Sequence, residues 1–125
     1  MRTLIVDDLP DMRFLMRASL WTDNVLDITD EAANGEDALA VWRESKPDVI
    51  VLDMQMPGLS GLEVAREILE EDPTQAVVMC SAYMDRDDVA EATKLGVAAC
   101  VDKYAITTLP DVVTSVLGFR LRAQS

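Results

Sequence analysis

Hydrophobic residues along the chain form short uninterrupted runs, which are separated by longer amphipathic stretches. The three clearest runs are Leu4–Val6, Val49–Leu52 and Ala76–Cys80. Strands covered by helices on both faces carry such continuous runs, whereas half-exposed strands alternate between apolar and polar residues. A more polar segment, Val25–Thr29, and a short apolar run, Ala98–Val101, suit the two edges of a sheet. The pattern therefore predicts five parallel strands in a largely buried sheet.

The amphipathic stretches between these runs predict five helices. In the first, Met12, Leu15, Met16 and Ser19 follow the i, i+3, i+4, i+7 spacing of one helix face. Capping residues at the start, and glycine or proline beyond the end, set the limits of the others. The predicted helices run from Pro10 to Trp21, from Asn34 to about Ser45, from the Ser60–Glu63 capping box onwards, from Asp85 to Gly96, and from Thr107 or Thr108 to near Gly118. Five β–α units with right-handed crossovers predict a doubly wound α/β fold.

The length of 125 residues favours a single domain, residues 1–125, with a core over about residues 3–118. Half of the residues are hydrophobic, which argues against disorder and allows a core without disulfides. Beyond Gly118, Arg120 and Arg122 can either extend the last helix or begin a linker. The formal net charge of −12 disfavours direct binding to nucleic acid or to anionic membranes.

The remaining composition narrows the site chemistry and the expected compartment. No apolar run approaches the roughly 20 residues of a membrane-spanning helix. Asp7 and Asp8 interrupt the first apolar run, so the start of the chain does not read as a signal peptide. The chain has two cysteines, Cys80 and Cys100, and no histidine. We therefore expect a cytoplasmic protein with free thiols and exclude zinc sites that need histidine.

Aspartate, serine or lysine residues follow four of the predicted strands. Asp7 and Asp8 follow the first run, Asp53 follows the second, Ser81 the third, and Lys103 stands just after the last. Taken singly, each is as well explained by a turn, a helix cap or a solvated side chain. Because the carboxyl ends of parallel strands lie along one edge of a sheet, these distant residues are predicted to converge at a single site.

Three converging carboxylates predict a metal ion, because without a cation they repel one another. All-oxygen ligation suits Mg²⁺, which often bridges to a phosphate. A metal beside a carboxylate nucleophile suits phosphoryl transfer, and Asp53 is the expected nucleophile because it ends a central strand. Lys103 can neutralise one phosphoryl oxygen, and the Ser81 hydroxyl can donate a hydrogen bond to another.

These motifs, in this order and spacing, resemble the receiver domain of two-component response regulators over Thr3 to about Leu117. The motifs are Val6-Asp7-Asp8, Ala33-Asn34-Gly35-Glu36-Asp37-Ala38-Leu39, Asp53-Met54-Gln55-Met56-Pro57-Gly58, Ser81-Ala82, Leu95-Gly96-Val97-Ala98 and Lys103. The resemblance, to chemotaxis-type single-domain regulators in particular, implies a flavodoxin-like sheet of order 2-1-3-4-5 with five helices.

The resemblance also implies a role for each matching residue. Asp53 would accept a phosphoryl group from a histidine of a partner kinase or histidine phosphotransfer protein. Asp8, Asp53 and the main-chain carbonyl of Gln55 would bind Mg²⁺ directly, and Asp7 would bind it through water. Lys103 would contact the phosphoryl group or, before phosphorylation, Asp53.

In the family, the serine that follows the fourth strand closes on the phosphoryl group. Here Ser81, with its neighbour Ala82, would do so and alter a protein-binding surface on the fourth helix, last strand and last helix. Tyr83 would stand beside the path of hydrolytic water, either shielding the acyl phosphate or lying exposed in the loop.

Two departures from the family pattern put in question how phosphorylation is coupled to the protein-binding surface. Cys100 stands where an aromatic residue is usual, and Tyr104 replaces a proline that is often cis. Tyr104 is expected to be a half-buried loop residue.

Three functions compete. The first is a phosphorylation-controlled signalling module that is not a turnover enzyme. The second is a Mg²⁺-dependent phosphatase with an aspartate nucleophile, which typically needs an acidic residue where this chain has Gln55. The third is a receiver-like interaction module that works without phosphate, which the missing aromatic at Cys100 favours. The sequence identifies neither the kinase nor the downstream target.

Overall fold

The computed structural model describes residues 1–21 and 27–124, which form an open parallel sheet with helices on both faces. The strands are β1 (Arg2–Val6), β2 (Asp27–Ala32), β3 (Val49–Leu52), β4 (Ala76–Ser81) and β5 (Ala99–Asp102). The helices are α1 (Pro10–Trp21), α2 (Gly35–Ser45), α3 (Gly61–Glu71), α4 (Arg86–Leu95) and α5 (Leu109–Gln124), and a 3₁₀-helix spans Lys103–Thr108. The strand order is β2-β1-β3-β4-β5, so the predicted fold and strand order are confirmed.

The central strands are apolar on both faces because each face contributes to a separate core. Along β3, Ile50 and Leu52 pack into the core that α2, α3 and α4 cover. The alternate residues, Val49 and Val51, pack into the core beneath α1 and α5. Successive side chains of a strand point to opposite faces, so a strand buried on both sides needs an uninterrupted apolar run.

Most predicted helix limits are confirmed by their caps. The Asn34 side chain accepts a hydrogen bond from the main-chain nitrogen of Asp37 and begins α2. Reciprocal capping boxes begin α3 at Ser60 and α4 at Asp85. Gly96 ends α4 with a φ of 101°, a left-handed conformation that glycine adopts without steric cost.

The predicted contact face of α1 is partly wrong. Met16 is buried as expected, and Met12 and Ser19 are half-buried. Leu15, however, is 46% exposed, whereas Leu20 is fully buried. The helix meets the core through the i, i+4 pair of Met16 and Leu20, which rotates Leu15 toward solvent.

The extent of β2 also differs from the sequence prediction. β2 continues past Thr29 to Ala32, since Asp30, Glu31 and Ala32 pair with Leu4–Val6 of β1. The start of the predicted strand, at residues 25 and 26, lies outside the described residues. An edge strand tolerates such carboxylates because part of it faces solvent.

The last helix does not end at Gly118 but continues to Gln124. The alternative that the Arg120 and Arg122 segment extends the helix is therefore correct. Gly118 has no positive φ, and a helix tolerates an interior glycine at a cost of about 1 kcal/mol. No helix in the described part of the chain is long and apolar enough to cross a membrane.

Candidate functional site

The carboxyl ends of β1 and β3 place two aspartates side by side. The main-chain nitrogen of Asp7 donates to the carbonyl of Ala32 at 3.1 Å, and that of Asp53 donates to the carbonyl of Val6 at 2.9 Å. These bonds extend the sheet by one residue on each strand. The side chains of Asp7 and Asp53 are consequently buried, with residue exposures of 0% and 3%.

Each of these carboxylates is also tied to its own loop. Asp7 Oδ1 accepts a hydrogen bond of 2.9 Å from the main-chain nitrogen of Leu9. Asp53 Oδ1 accepts one of 3.3 Å from the main-chain nitrogen of Gln55. A Cβ on Gly61 would lie 2.1 Å from the Asp53 carbonyl oxygen, so only glycine allows α3 to begin this close to the strand end. Loop and helix together hold the Asp53 carboxylate in place.

Lys103 brings a positive charge to the two aspartates from the last strand. Its Nζ lies 2.7 Å from Asp7 Oδ2 and 3.3 Å from Asp53 Oδ1, and its side chain is 10% exposed. Asp102 caps the 3₁₀-helix that begins with Lys103, because its Oδ1 accepts a 2.8 Å hydrogen bond from the Tyr104 nitrogen. The predicted neighbour of Lys103 was Asp53, and the shorter ion pair is with Asp7.

Asp8 completes an acidic cluster with Asp7 and Asp53. One carboxylate oxygen from each of the three lies within 4.8 Å of the other two. Such a set of hard oxygen donors fits a small divalent cation. The structure therefore brings together the three carboxylates that the sequence singled out. Direct ligation by the Gln55 carbonyl stays a prediction.

Crowding at the site affects its proton equilibria. Burial raises the pKa of Asp53, and the charge of Asp7 raises it further, while Lys103 acts in the opposite direction. Burial acts to lower the pKa of Lys103, but its contacts with Asp7 and Asp53 outweigh burial, so this pKa is raised. Lys103 therefore remains a cation and partly offsets the repulsion between the two buried carboxylates.

Ser81 lies at the end of β4, and its hydroxyl is engaged within its own loop. The hydroxyl donates a 3.1 Å hydrogen bond to the carbonyl of Tyr83, and the Tyr83 nitrogen lies 3.4 Å from the same Oγ. Ser81 is 1% exposed, whereas the Tyr83 residue is 66% exposed, and Ala82 is exposed as well. In this conformation the hydroxyl faces its own loop, and the Tyr83 residue is mostly exposed.

Two residues at positions where this chain departs from the receiver pattern lie outside the acidic cluster. Cys100 is half-buried and packs against the core under α2, α3 and α4. Tyr104 is 89% exposed, so its predicted half-buried position is wrong. The 3₁₀-helix that starts at Lys103 carries its neighbour Tyr104 outward. The described residues contain no cis peptide bond.

The two cysteines are free thiols that pack against the cores, Cys80 fully buried and Cys100 half-buried. They belong to different faces of the sheet: Cys80 to the core under α1 and α5, and Cys100 to the other. Burial raises the pKa of Cys80 to about 12, which keeps it a thiol at neutral pH.

Sequence reasoning missed one residue that touches the site. Arg13 of α1 donates a 2.7 Å hydrogen bond from Nη1 to the main-chain carbonyl of Asp7. Its Nε also lies 3.5 Å from Oε1 of Glu31. A signal was present, because Arg13 lies one turn into a helix that follows two acidic residues, and a second cation, Arg17, lies one turn further on.

Comparisons with known proteins agree with this geometry. The family profile described as "Response regulator receiver domain" matches residues 3–113. Protein CcdB of Bacillus subtilis (strain 168) is 36% identical over 118 residues, which cover 94% of this chain and 98% of that protein. Chemotaxis protein CheY of Thermotoga maritima is 36% identical over 95 residues, or 76% of this chain and 78% of that protein.

A solved structure gives the same result. A two-component response regulator of the LuxR family from Aurantimonas sp. SI85-9A1 superposes with a TM-score of 0.90 at 26% identity, covering 95% of this chain and 86% of that chain. The strand order, the acidic cluster and these matches agree. The chain therefore belongs to the receiver-domain family of two-component response regulators.

Proposed function

We propose that this receiver domain accepts a phosphoryl group on Asp53 from a phosphohistidine of a histidine kinase or histidine phosphotransfer protein, with Mg²⁺ as cofactor. One observation carries the proposal: the buried Asp53 shares a site with two further carboxylates and with the ammonium of Lys103. Receiver domains interact with histidine kinases and with downstream effectors, which agrees with this role.

The transfer is a direct exchange of bonds. A carboxylate oxygen of Asp53 attacks phosphorus and forms an O–P bond. The N–P bond of the donor breaks, its electron pair returns to the imidazole nitrogen, and that nitrogen ends protonated by solvent. Lys103, 3.3 Å from Asp53 Oδ1, is placed to stabilise the negative charge that the phosphoryl oxygens bring.

The donor set fits the proposed cofactor. Asp7, Asp8 and Asp53 offer three carboxylate oxygens within 4.8 Å of one another, and hard oxygen ligands are the ones that Mg²⁺ prefers. Ionised together, the three carboxylates exceed the charge of Lys103 by two, which a divalent cation balances. When bound, Mg²⁺ screens the carboxylates from the incoming anion and holds a phosphoryl oxygen. Asp8 and Asp53 are proposed as direct ligands with the Gln55 carbonyl, and Asp7 as a ligand through water.

The response to phosphorylation begins at Ser81. Its hydroxyl has one proton, which it donates to the Tyr83 carbonyl. A hydrogen bond from this hydroxyl to a phosphoryl oxygen would release that carbonyl and free the loop that leads to α4. The proposed outcome is a changed protein-binding surface on α4, β5 and α5. Cys100 has no aromatic ring whose rotation could transmit this change to the surface. The loop after Ser81 would therefore transmit it.

The chain is proposed to be a switch rather than a turnover enzyme. An aspartate-nucleophile phosphatase needs a proton donor and acceptor beside the nucleophile. The residue at that position is Gln55, whose neutral amide forms hydrogen bonds but does not act as an acid or a base at neutral pH. Phosphorylation and its slow reversal would therefore be the whole of its chemistry.

The test is incubation with Mg²⁺ and acetyl phosphate, followed by intact-mass measurement. We expect a single added phosphoryl group in the wild type and in Asp111→Asn, an exposed aspartate of α5, and none in Asp53→Asn. Rapid turnover of phosphate esters would instead establish a phosphatase. A wild type that takes no phosphoryl group from acetyl phosphate or from a phosphohistidine protein would contradict the proposal and favour phosphate-independent interaction.

A further inference from the structure

We infer that Arg13 is a positioning residue for the metal-binding carboxylates, and that it acts by holding the peptide unit between Asp7 and Asp8. The inference rests on the proposed function, because it concerns the affinity of that same site for Mg²⁺. Arg13 belongs to α1, and its described contacts are with the main-chain carbonyl of Asp7 and the carboxylate of Glu31.

The main chain of Asp7 is held from two sides. Its nitrogen donates to the carbonyl of Ala32, at the end of the neighbouring β2, at 3.1 Å. Its carbonyl accepts the 2.7 Å hydrogen bond from Arg13 Nη1. The first contact continues the sheet, whereas the second comes from a side chain one turn into α1. Only the second depends on residue type.

The carbonyl contact bears on Asp8 because a peptide unit is planar. The direction of the Asp7 carbonyl sets the direction of the Asp8 nitrogen and the position of the Asp8 Cα. Rotation of this unit about the ψ angle of Asp7 would swing the Asp8 carboxylate relative to Asp7 and Asp53. A bond that holds the carbonyl therefore restricts where the Asp8 carboxylate lies relative to Asp7 and Asp53.

Arg13 is itself fixed, which a positioning role requires. Its Nε lies 3.5 Å from Glu31 Oε1, and its side chain is 19% exposed. Glu31 directly precedes Ala32, the residue that holds the Asp7 nitrogen. One end of β2 therefore anchors both sides of the Asp7 main chain, directly on one side and through the planar guanidinium on the other.

Arg17 provides a matched control. It lies one turn further along α1 and pairs with the same carboxylate, Glu31, through its Nη1. Its guanidinium also lies over the ring of Phe14, 5.7 Å from the centroid. These described contacts leave out Asp7. Arg13 and Arg17 thus share charge, helix and acidic partner, and they differ in the contact with the Asp7 carbonyl.

A purely electrostatic effect would have the opposite sign. A guanidinium near a cation site repels the cation, so removing either arginine would tighten Mg²⁺ binding. Positioning predicts weaker binding, and predicts it for Arg13 alone. The direction of the change therefore separates the two explanations.

The experiment is calorimetric titration of Mg²⁺ into the wild type, Arg13→Met, Arg13→Lys and Arg17→Met, with thermal unfolding of each. Loss of a residue that orients metal ligands typically costs about 10-fold to 100-fold in affinity. We expect Arg13→Met to weaken binding by about 10-fold. Arg13→Lys keeps the positive charge and one N–H donor group but loses the planar guanidinium. Its Mg²⁺ affinity should lie between those of Arg13→Met and the wild type. Arg17→Met should bind as the wild type does.

A second readout is the rate of adduct formation from acetyl phosphate as the Mg²⁺ concentration is raised. In Arg13→Met we expect the half-saturating Mg²⁺ concentration to rise while the rate at saturation stays close to that of the wild type. Loss of structure would instead lower the saturating rate and the melting temperature. If Arg13→Met does not fold, the comparison of Arg13→Lys with Arg17→Met decides, with weaker binding expected only in the former.

The inference is overturned if a folded Arg13→Met or Arg13→Lys variant binds Mg²⁺ as tightly as the wild type or more tightly. It is also overturned if Arg17→Met weakens binding equally. These results differ from failure of the proposed function, in which the wild type itself neither binds Mg²⁺ nor gains a phosphoryl group.

Discussion

At the amino-terminal end of the sheet the buried amide of Gln75 is neutral and fully paired, whereas at the carboxyl end buried carboxylates are charged and crowded. Gln75, just before β4, is buried, and its Oε1 accepts a 2.9 Å hydrogen bond from the indole nitrogen of Trp42. Its amide nitrogen donates to the carbonyls of Ala76 at 3.1 Å and Asp48 at 3.3 Å. Every polar atom of this amide has a partner, as expected of a structural contact.

The carboxyl end is built differently. Asp7 and Asp53 are buried against a single ammonium, that of Lys103, and Asp8 adds a third carboxylate. The raised pKa of Asp53 reports the burial and the repulsion there. One end of the sheet thus contributes to stability, while the other keeps an unbalanced charge that a cation and a phosphoryl group can use.

The largest effect is expected at the carboxyl end, from Lys103→Met. This change removes the cation within 3.3 Å of Asp53, and loss of one such stabilising group typically slows a reaction about 10²-fold or more. We expect the initial rate of adduct formation from acetyl phosphate to fall by about that factor. Lys94→Met, an exposed lysine of α4, should leave the rate unchanged. Equal rates in the two variants would contradict the role of Lys103.

The amino-terminal end should respond in stability alone. Gln75→Leu leaves the buried indole N–H of Trp42 without its acceptor, which costs about 1–3 kcal/mol of unfolding free energy. Denaturant titration should show this loss, and adduct formation should proceed as in the wild type. In the double variant with Trp42→Phe, part of the loss should be recovered, because no unpaired N–H remains. A slower phosphorylation in Gln75→Leu would show that the two ends are not independent.

Most substitutions of buried residues destabilise a fold, but Asp53→Asn should stabilise the metal-free protein. In the metal-free protein the ionised carboxylate is disfavoured by burial and by Asp7, so its pKa is raised on folding. The ionised group therefore destabilises the fold at neutral pH, and this effect is relieved as pH falls through the raised pKa. With EDTA at pH 7 we expect a higher melting temperature for Asp53→Asn than for the wild type, and a difference that shrinks as the pH is lowered.

Adding Mg²⁺ should shrink or invert that difference, because the ion stabilises the protein that binds it more tightly. If the wild type is more stable than Asp53→Asn in EDTA at pH 7, the charges of the carboxylates and Lys103 are balanced without a metal ion. The comparison between the two ends of the sheet would then lose its basis.

The smallest effect is expected at Tyr83. If its ring shields the acyl phosphate once the Ser81 hydroxyl is released, Tyr83→Ala should lose the phosphoryl group several-fold faster than the wild type. Tyr104→Ala is the matched control, since Tyr104 is also an exposed tyrosine. Half-lives of the adduct, followed by intact mass after removal of acetyl phosphate, give the answer. Equal half-lives would leave Tyr83 as an exposed loop residue only.

Strong local patterns were sufficient to predict the strands and the residues that converge, whereas the strand order followed from the family resemblance. A continuous apolar run such as Val49–Leu52, as short as a strand, favours a strand buried on both faces, and the residue after it then lies at the edge where the parallel strands end. The capping residues Asn34, Ser60 and Asp85 begin helices through bonds to their own neighbours. Such signals are read without knowledge of tertiary contacts.

The errors concern choices that depend on tertiary packing. Leu15 and Leu20 are both apolar, and only the position of α1 on the sheet determines which of them is buried. Tyr104 is the second residue of a short 3₁₀-helix, Lys103–Thr108, which has no apolar periodicity to detect. The ion pair of Lys103 with Asp7 and the bond of Arg13 to the Asp7 carbonyl depend on side-chain reach across the sheet edge.

The most direct test of the account is to locate the phosphoryl group. An acyl phosphate is reduced by borohydride, which converts the modified aspartate into homoserine, and peptide mass spectrometry then identifies its position. After treatment with Mg²⁺ and acetyl phosphate, the account predicts homoserine at residue 53 and at no other aspartate. Homoserine at another position, or a phosphoryl group on a hydroxyl that resists reduction, would contradict it.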